Sequence, residues 1–206
     1  MRRDENAGGA VVRLRLADDD ATLVAALRRG DPRAQRQLFD AHAVRVKRLL
    51  AYAMGADAEL DDLLHDTFLD AFASIGGLED ASAVGSWLAT IAIRKARRAI
   101  KKRQRARLLA GALSWLAPER YDPHPSMSAA VEWRAVSKIL ERLPTEERIA
   151  FAMHDIGELQ LGDVAAAMGT SVTTVKRRLA RGRERFRRLV EREPALADRR
   201  GGGDAG

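Results

Sequence analysis

The stretch "LQLGDVAAAMGTSVTTVKRRLARGRERFRR" at residues 159–188 predicts two helices joined by a tight turn. Apolar side chains recur in both halves at steps of three and four residues, the spacing of amphipathic helices that pack on each other. Gly169 fits the turn, Ser171 fits the N-cap of the second helix, and Gly182 allows a close packing contact. The predicted apolar face of the second helix consists of Val172, Val175, Leu179, Phe186 and Val190. This is the pattern of a helix–turn–helix unit.

The second of these helices carries a nearly unopposed basic face. A recognition helix presents its N-terminal residues to base edges while neighbouring cations hold phosphates. A solvated charged helix is the other interpretation, but the short turn and the small preceding helix favour DNA binding. The candidate DNA contacts are Ser171, Thr173, Thr174, Lys176, Arg177 and Arg181. The arginines nearer the C-terminus are either phosphate contacts or solvated charge.

The composition is that of a basic, helix-rich protein. The chain has 206 residues and a formal net charge of +7, and only 5% of its residues are aromatic. The sequence pI of about 10.3 indicates a polyanionic partner such as nucleic acid. Cysteine is absent, which excludes disulfides and thiolate zinc sites. The N-terminus has no signal-peptide core and no apolar run could span a bilayer, so we expect a cytoplasmic protein with no membrane insertion.

Helical periodicity interrupted by a proline-rich segment predicts an all-α fold. We expect two small helical bundles joined by a flexible linker, the second containing the helix–turn–helix. The first bundle is expected at 19–112, the linker at 113–127 and the second bundle at 128–193. Residues 1–18 and 194–206 are expected to be a disordered N-terminus and a disordered tail.

Two segments of the first bundle carry opposite charge. "RKARRAIKKRQRAR", residues 94–107, is strongly basic, whereas no Lys or Arg occurs from 57 to 93. The basic segment continues a helix that begins at Trp87, where a buried anchor is favoured over base stacking. The acidic helix before it suggests a basic protein partner, because a nucleic-acid surface would avoid such charge. An earlier helix is expected to begin at Pro32, because proline suits a first helical turn. The side chains of this helix that are expected to face the core are Leu38, Phe39, Val46, Leu49 and Leu50.

The segments "DDLLHDTFLDAFASI" and "SWLATIAIRKARRAIKKRQR", followed by the helix–turn–helix, resemble a bacterial sigma factor of the extracytoplasmic-function type. The resemblance implies a promoter-specificity subunit with core RNA polymerase and promoter DNA as partners, and an anti-sigma factor as a further candidate partner. It places the −35 element against the helix from Ser171. The implied polymerase contacts are Asp61, Asp62, His65 and Asp66. The implied −10 contacts are Trp87, Arg94, Lys95, Arg98, Lys101 and Lys102.

Four positions depart from the usual pattern of this family. His65 stands where Gln is common, and Arg94 where Asn is frequent. Asp163 and Arg177 replace a frequent Glu and a frequent Ser. Arg94 leaves the base preference at −10 open, and Arg177 either adds phosphate affinity or changes the reading of −35.

Two other functions stay open from the residues alone. A helix–turn–helix regulator that does not dock on polymerase would need neither the acidic helix nor the Trp87 segment. An enzyme is disfavoured because the four histidines are scattered and none has a His or Cys partner at metal-ligand spacing. These histidines are His42, His65, His124 and His154. We therefore expect no catalytic residue, no metal site and no cofactor.

Overall fold

The computed structural model describes residues 20–55, 59–109 and 127–193. The predicted disordered segments at 1–18 and 194–206, and the predicted linker at 113–127 except Met127, lie outside these ranges. Within the described ranges the chain forms helices and no β-strand, which confirms the all-α prediction. None of the described helices is long and apolar enough to cross a membrane.

The helices of the N-terminal half are α1 at 20–28, α2 at Pro32–Met54, α3 at Leu60–Ser74 and α4 at Val84–Leu109. α2 begins where predicted, because proline fits a first helical turn and the Asp31 side chain accepts a hydrogen bond from the Arg33 backbone N–H at 2.8 Å. α4 begins about one turn before the predicted start at Trp87. The cause is a 3₁₀ turn at Ala81–Ala83, capped by Asp80, that leads directly into the helix.

The helices of the C-terminal half are α5 at Met127–Glu141, α6 at Thr145–Phe151, α7 at Leu161–Met168 and α8 at Val172–Val190. A π-helical turn at Ala152–Ile156 continues α6. Gly169 ends α7 in the left-handed conformation with φ of 61°, and the Ser171 hydroxyl accepts a hydrogen bond from the Thr174 backbone N–H at 3.2 Å. Both capping predictions are confirmed. The predicted apolar face of α8 is wrong at Val172, which is 39% exposed, because periodicity assigns a residue to a face without showing whether a neighbouring helix covers it.

The two halves pack directly against each other, an arrangement that the sequence leaves open. One continuous hydrophobic core contains side chains from both halves. Tyr52 of α2 meets Trp133 of α5 edge to face, with ring centroids 5.2 Å apart. Arg97 of α4 donates to the Met168 carbonyl at the end of α7 at 3.2 Å. α4 therefore lies beside the helix–turn–helix, and this packing decides which faces of both remain exposed.

Candidate nucleic-acid interface

The outer face of α8 is exposed at its N-terminal end. The exposed side chains among the candidate −35 contacts include Thr173, Lys176, Arg177 and Arg181. Ser171 is also exposed, but its hydroxyl caps the helix and lies 3.0 Å from the Thr174 hydroxyl, which is half-buried. Ser171 and Thr174 therefore shape the start of the helix, whereas the other four side chains face outward.

The other five basic side chains of α8 all form ion pairs, so the expectation of a nearly unopposed basic face is wrong for this part of the helix. These pairs are Arg178–Glu146, Arg183–Asp155, Arg185–Glu147, and Arg187 and Arg188 with Glu184. The pairs with Glu184 follow from helical spacing. The others join α8 to α6 and to the π-helical turn, which no local pattern reveals. Within the described part of the chain, no ion pair involves Lys176, Arg177 or Arg181.

The candidate −10 contacts on α4 fall into two groups. The exposed ones are Arg94, Arg98, Lys101 and Lys102. Lys95 is instead half-buried, and its Nζ lies 2.8 Å from Asp70 Oδ2 and 3.8 Å from Asp66 Oδ2 on α3. Trp87 is also half-buried and packs against the core, as expected of an anchor. Lys95, a candidate DNA contact, is thus linked to Asp66, a candidate polymerase contact.

The candidate polymerase contacts on α3 are all exposed: Asp61, Asp62, His65 and Asp66. Their charge is partly neutralised by cations of the same protein, which corrects the expectation that this helix presents an unopposed acidic face. Asp61 lies 2.6 Å from Lys47, Glu59 lies 3.0 Å from Arg103, and Asp66 shares Lys95 with Asp70. Over the described residues, Asp62 takes part in no ion pair, so it is the most available carboxylate of this face.

An open groove of about 480 Å³, lined by both polar and apolar side chains, lies between α2 and α3 beside His65. Phe39 and Leu69 line it and are 38% and 51% exposed. Phe39 was expected to face inward, but it lies one residue after the fully buried Leu38 and is therefore turned about 100° around the helix. Its ring contacts Phe68 of α3 at a centroid distance of 4.8 Å. No pattern in the sequence indicated these exposed apolar side chains beside the candidate polymerase contacts.

The histidines of the described residues do not form a metal centre, and these residues contain no cluster of three or more potential His, Cys, Asp or Glu ligands. His124 lies outside the described residues. His154 Nδ1 lies 2.8 Å from the Leu159 carbonyl oxygen, so its ring supports a turn. Burial lowers the pKa of His42 below its ordinary value of 6.5, Arg45 lowers it further, and Asp20 acts in the opposite direction.

Both halves match models of known protein families. Residues 38–106 match "Sigma-70 region 2", and residues 133–186 match "Sigma-70, region 4". The ECF RNA polymerase sigma factor SigM of Mycobacterium tuberculosis is 34% identical over 172 residues, which cover 83% of this chain and 84% of SigM.

Two solved structures share the fold. CnrH, in complex with the cytosolic domain of CnrY, has a TM-score of 0.63 at 24% identity, covering 84% of this chain and 97% of CnrH. RpoE of Bartonella quintana, in complex with the anti-sigma factor NepR, has a TM-score of 0.65 at 22% identity, covering 76% of this chain and 96% of RpoE. The two family models match in the predicted order, and the match to SigM runs through both halves. The chain therefore belongs to the ECF RNA polymerase sigma factors of the sigma-70 family, which direct promoter recognition.

Proposed function

We propose that this sigma factor binds core RNA polymerase and carries both promoter contacts itself. In this proposal α8 contacts the −35 element, α4 contacts the −10 element, and α3 docks on polymerase. The protein regulates transcription in the cytoplasm, while RNA synthesis belongs to the polymerase. The observation that carries the proposal is the division of charge: the outward cations of α4 and α8 are exposed, whereas many neighbouring cations are bound to carboxylates of the same fold.

The −35 contact rests on Lys176, Arg177 and Arg181, with Thr173 beside them. Arginine can form two hydrogen bonds with the major-groove edge of guanine, and threonine can bond several base edges or contact a thymine methyl group. All four side chains are exposed. Ser171 and Thr174 support this contact by fixing the first turn of α8.

The −10 contact rests on the cations of α4. Arg94, Arg98, Lys101 and Lys102 are spaced so that they lie along one side of the helix. Such a stripe can follow the phosphates of a separated strand and hold it electrostatically. Trp87 anchors the start of this helix in the core. Lys95 joins the contact only when it leaves Asp70.

Polymerase docking rests on Asp62 and His65, next to the groove at Phe39 and Leu69. An exposed carboxylate beside apolar side chains suits a partner surface that combines basic and apolar groups. Asp61 and Asp66 contribute less in the free protein, since Lys47 and Lys95 already neutralise them.

Simultaneous promoter contacts require the two halves to separate. The −10 and −35 elements are about 25 base pairs apart, which is about 85 Å of B-DNA, whereas α4 touches the end of α7 in this structure. Arg97 of α4 donates to Glu146 of α6 at 3.0 Å across the two halves, and Arg178 of α8 lies 3.1 Å from the other carboxylate oxygen of Glu146 within the C-terminal half. The packed arrangement is therefore that of the protein away from promoter DNA.

An anti-sigma factor is proposed as a further partner. One solved relative was determined in complex with the anti-sigma factor NepR. A protein that binds across both halves would hinder their separation and would thereby block the two promoter contacts.

Reconstituted transcription tests the proposal. Core RNA polymerase with and without the full chain would transcribe a library of genomic fragments, and the products would be mapped at their 5′ ends. We expect defined start sites only in the presence of the chain. Asp62→Lys should reduce initiation by weakening assembly, and Lys176→Ala should reduce it at the level of promoter binding.

The outcome also separates this function from that of a regulator that never docks on polymerase. Such a regulator would bind duplex DNA in the absence of polymerase and would not change the selection of start sites. Failure of the chain to bind core polymerase in a titration would contradict the proposed function.

A further inference from the structure

α8 packs very closely against α6, and the proposed promoter contacts do not explain this close packing. Gly182 of α8 is buried, and a Cβ at this position would lie 3.2 Å from the Glu147 carbonyl oxygen. The neighbouring atom belongs to helix backbone, which cannot move aside as a side-chain tip could. Phe151 and Phe186 stack near this contact, with ring centroids 5.1 Å apart. α8 therefore lies close to α6.

Two ion pairs follow Gly182 and hold α8 against rotation. Arg185 Nε lies 3.0 Å from Glu147 Oε2 on α6. Arg183 makes a bidentate pair with Asp155: its Nε donates to Oδ2 at 2.8 Å, and its Nη2 donates to Oδ1. The hydrogen bond with Asp155 raises the pKa of Arg183 above its ordinary value. A bidentate pair fixes orientation as well as distance.

Asp155 belongs to the π-helical turn that continues α6. Such turns are rare and are often found at functional sites. Within the C-terminal half, this turn is supported by His154, whose Nδ1 lies 2.8 Å from the Leu159 carbonyl oxygen, and by the Leu159 backbone N–H, which donates to the Met153 carbonyl at 3.1 Å. Asp155 therefore approaches α8 from a well-supported segment.

We propose that Asp155 is a positioning residue for promoter recognition, which sets the rotation of α8 and thereby aligns its exposed side chains with base edges. The inference rests on the proposed −35 contact of α8. A rotation of about 20° would move a side-chain tip about 6 Å from the helix axis by about 2 Å. Hydrogen bonds to bases tolerate far less than this displacement. Phosphate contacts carry no sequence information, so their loss or gain does not change discrimination directly.

If Asp155 acts only through its charge, Asp155→Asn should give a different result than if Asp155 positions α8. Removing a carboxylate near DNA should strengthen binding to every duplex to a similar degree and leave discrimination between sequences unchanged. Loss of alignment should instead lower the ratio of affinities for the cognate and the scrambled −35 element. We expect this ratio to fall at least about fivefold, the effect of losing one good base contact.

The experiment uses holoenzyme assembled from the full chain and core polymerase. One duplex carries the −35 element of a promoter that the wild-type holoenzyme selects from randomised DNA, and the other carries the same bases scrambled. The variants are Asp155→Asn, Asp155→Glu and the matched control Glu184→Gln. Glu184 is also a carboxylate that pairs with arginines of α8, but it lies on α8 itself and does not join the helix to α6.

The expected result is a lower affinity ratio for Asp155→Asn, an unchanged ratio for Glu184→Gln, and at least partial recovery for Asp155→Glu. Thermal melting would accompany the binding data, because a loss of stability alone lowers the active fraction without changing the ratio. A wild-type ratio retained by Asp155→Asn, or an equal fall in Glu184→Gln, would overturn the inference while leaving the −35 contact intact. Equal wild-type affinity for both duplexes would overturn the −35 contact itself.

Discussion

Alanine at Lys176, Arg177 or Arg181 is expected to reduce the salt dependence of promoter binding by about one counterion for each substitution. Each cation that neutralises a phosphate contributes about −0.9 to the slope of log K against log salt concentration. These side chains are exposed, and no ion pair within the described residues involves them, so each is available to a phosphate. Between about 50 and 200 mM salt, each variant should therefore lose about 3.5-fold less affinity than the wild type.

The measurement is fluorescence anisotropy of holoenzyme on a duplex limited to the −35 element, at four or more salt concentrations. Arg187→Ala is the matched control, because it removes the same charge from the same helix. Arg187 is 3.1 Å from Glu184, so its loss should change the slope by less than half as much. An equal change for Arg187→Ala and Lys176→Ala would refute the distinction between paired and available cations. A wild-type slope in all three alanine variants would refute phosphate contact by this face.

Three further predictions concern docking, pH and the core. Asp62→Lys reverses an exposed charge on α3 and should weaken binding to core polymerase about tenfold; equal affinity of variant and wild type in a titration with core polymerase would contradict this. His42 has a lowered pKa in the folded state, so the unfolded chain takes up the proton first and stability should fall as the pH drops below 6.5. Thermal melts between about pH 5 and 8 should show a smaller pH dependence for His42→Gln, and identical curves would disprove the role of His42. Trp133→Ala should lower the free energy of unfolding by about 3–5 kcal/mol in urea titrations, because the ring is 3% exposed and contacts Tyr52 of the other half; a loss below about 1 kcal/mol would argue against a core shared by the halves.

The amino-acid sequence by itself determined the local features of this protein. Helical periodicity predicted the helix-rich fold, and Pro32, Gly169 and Ser171 marked helix ends that the structure confirms. The close contact at Gly182 was also foreseeable, because a glycine on an apolar face has no side chain to keep helices apart. These features depend on backbone conformation and on side chains a few residues apart, so a short stretch of sequence contains them.

Only the tertiary structure decided which charged side chains are available to bind a partner. The sequence predicted Lys95 as a DNA contact and left Arg183 as either a phosphate contact or solvated charge, whereas the structure pairs Lys95 with Asp70 and Arg183 with Asp155. The same holds for Phe39, whose exposure depends on how α3 lies against α2. An ion pair or a covered face requires two helices to be brought together from distant parts of the chain, and the crossing of those helices is set by the whole core. The sequence therefore identified the charged helices, whereas packing selected the side chains on them that remain free to bind a partner.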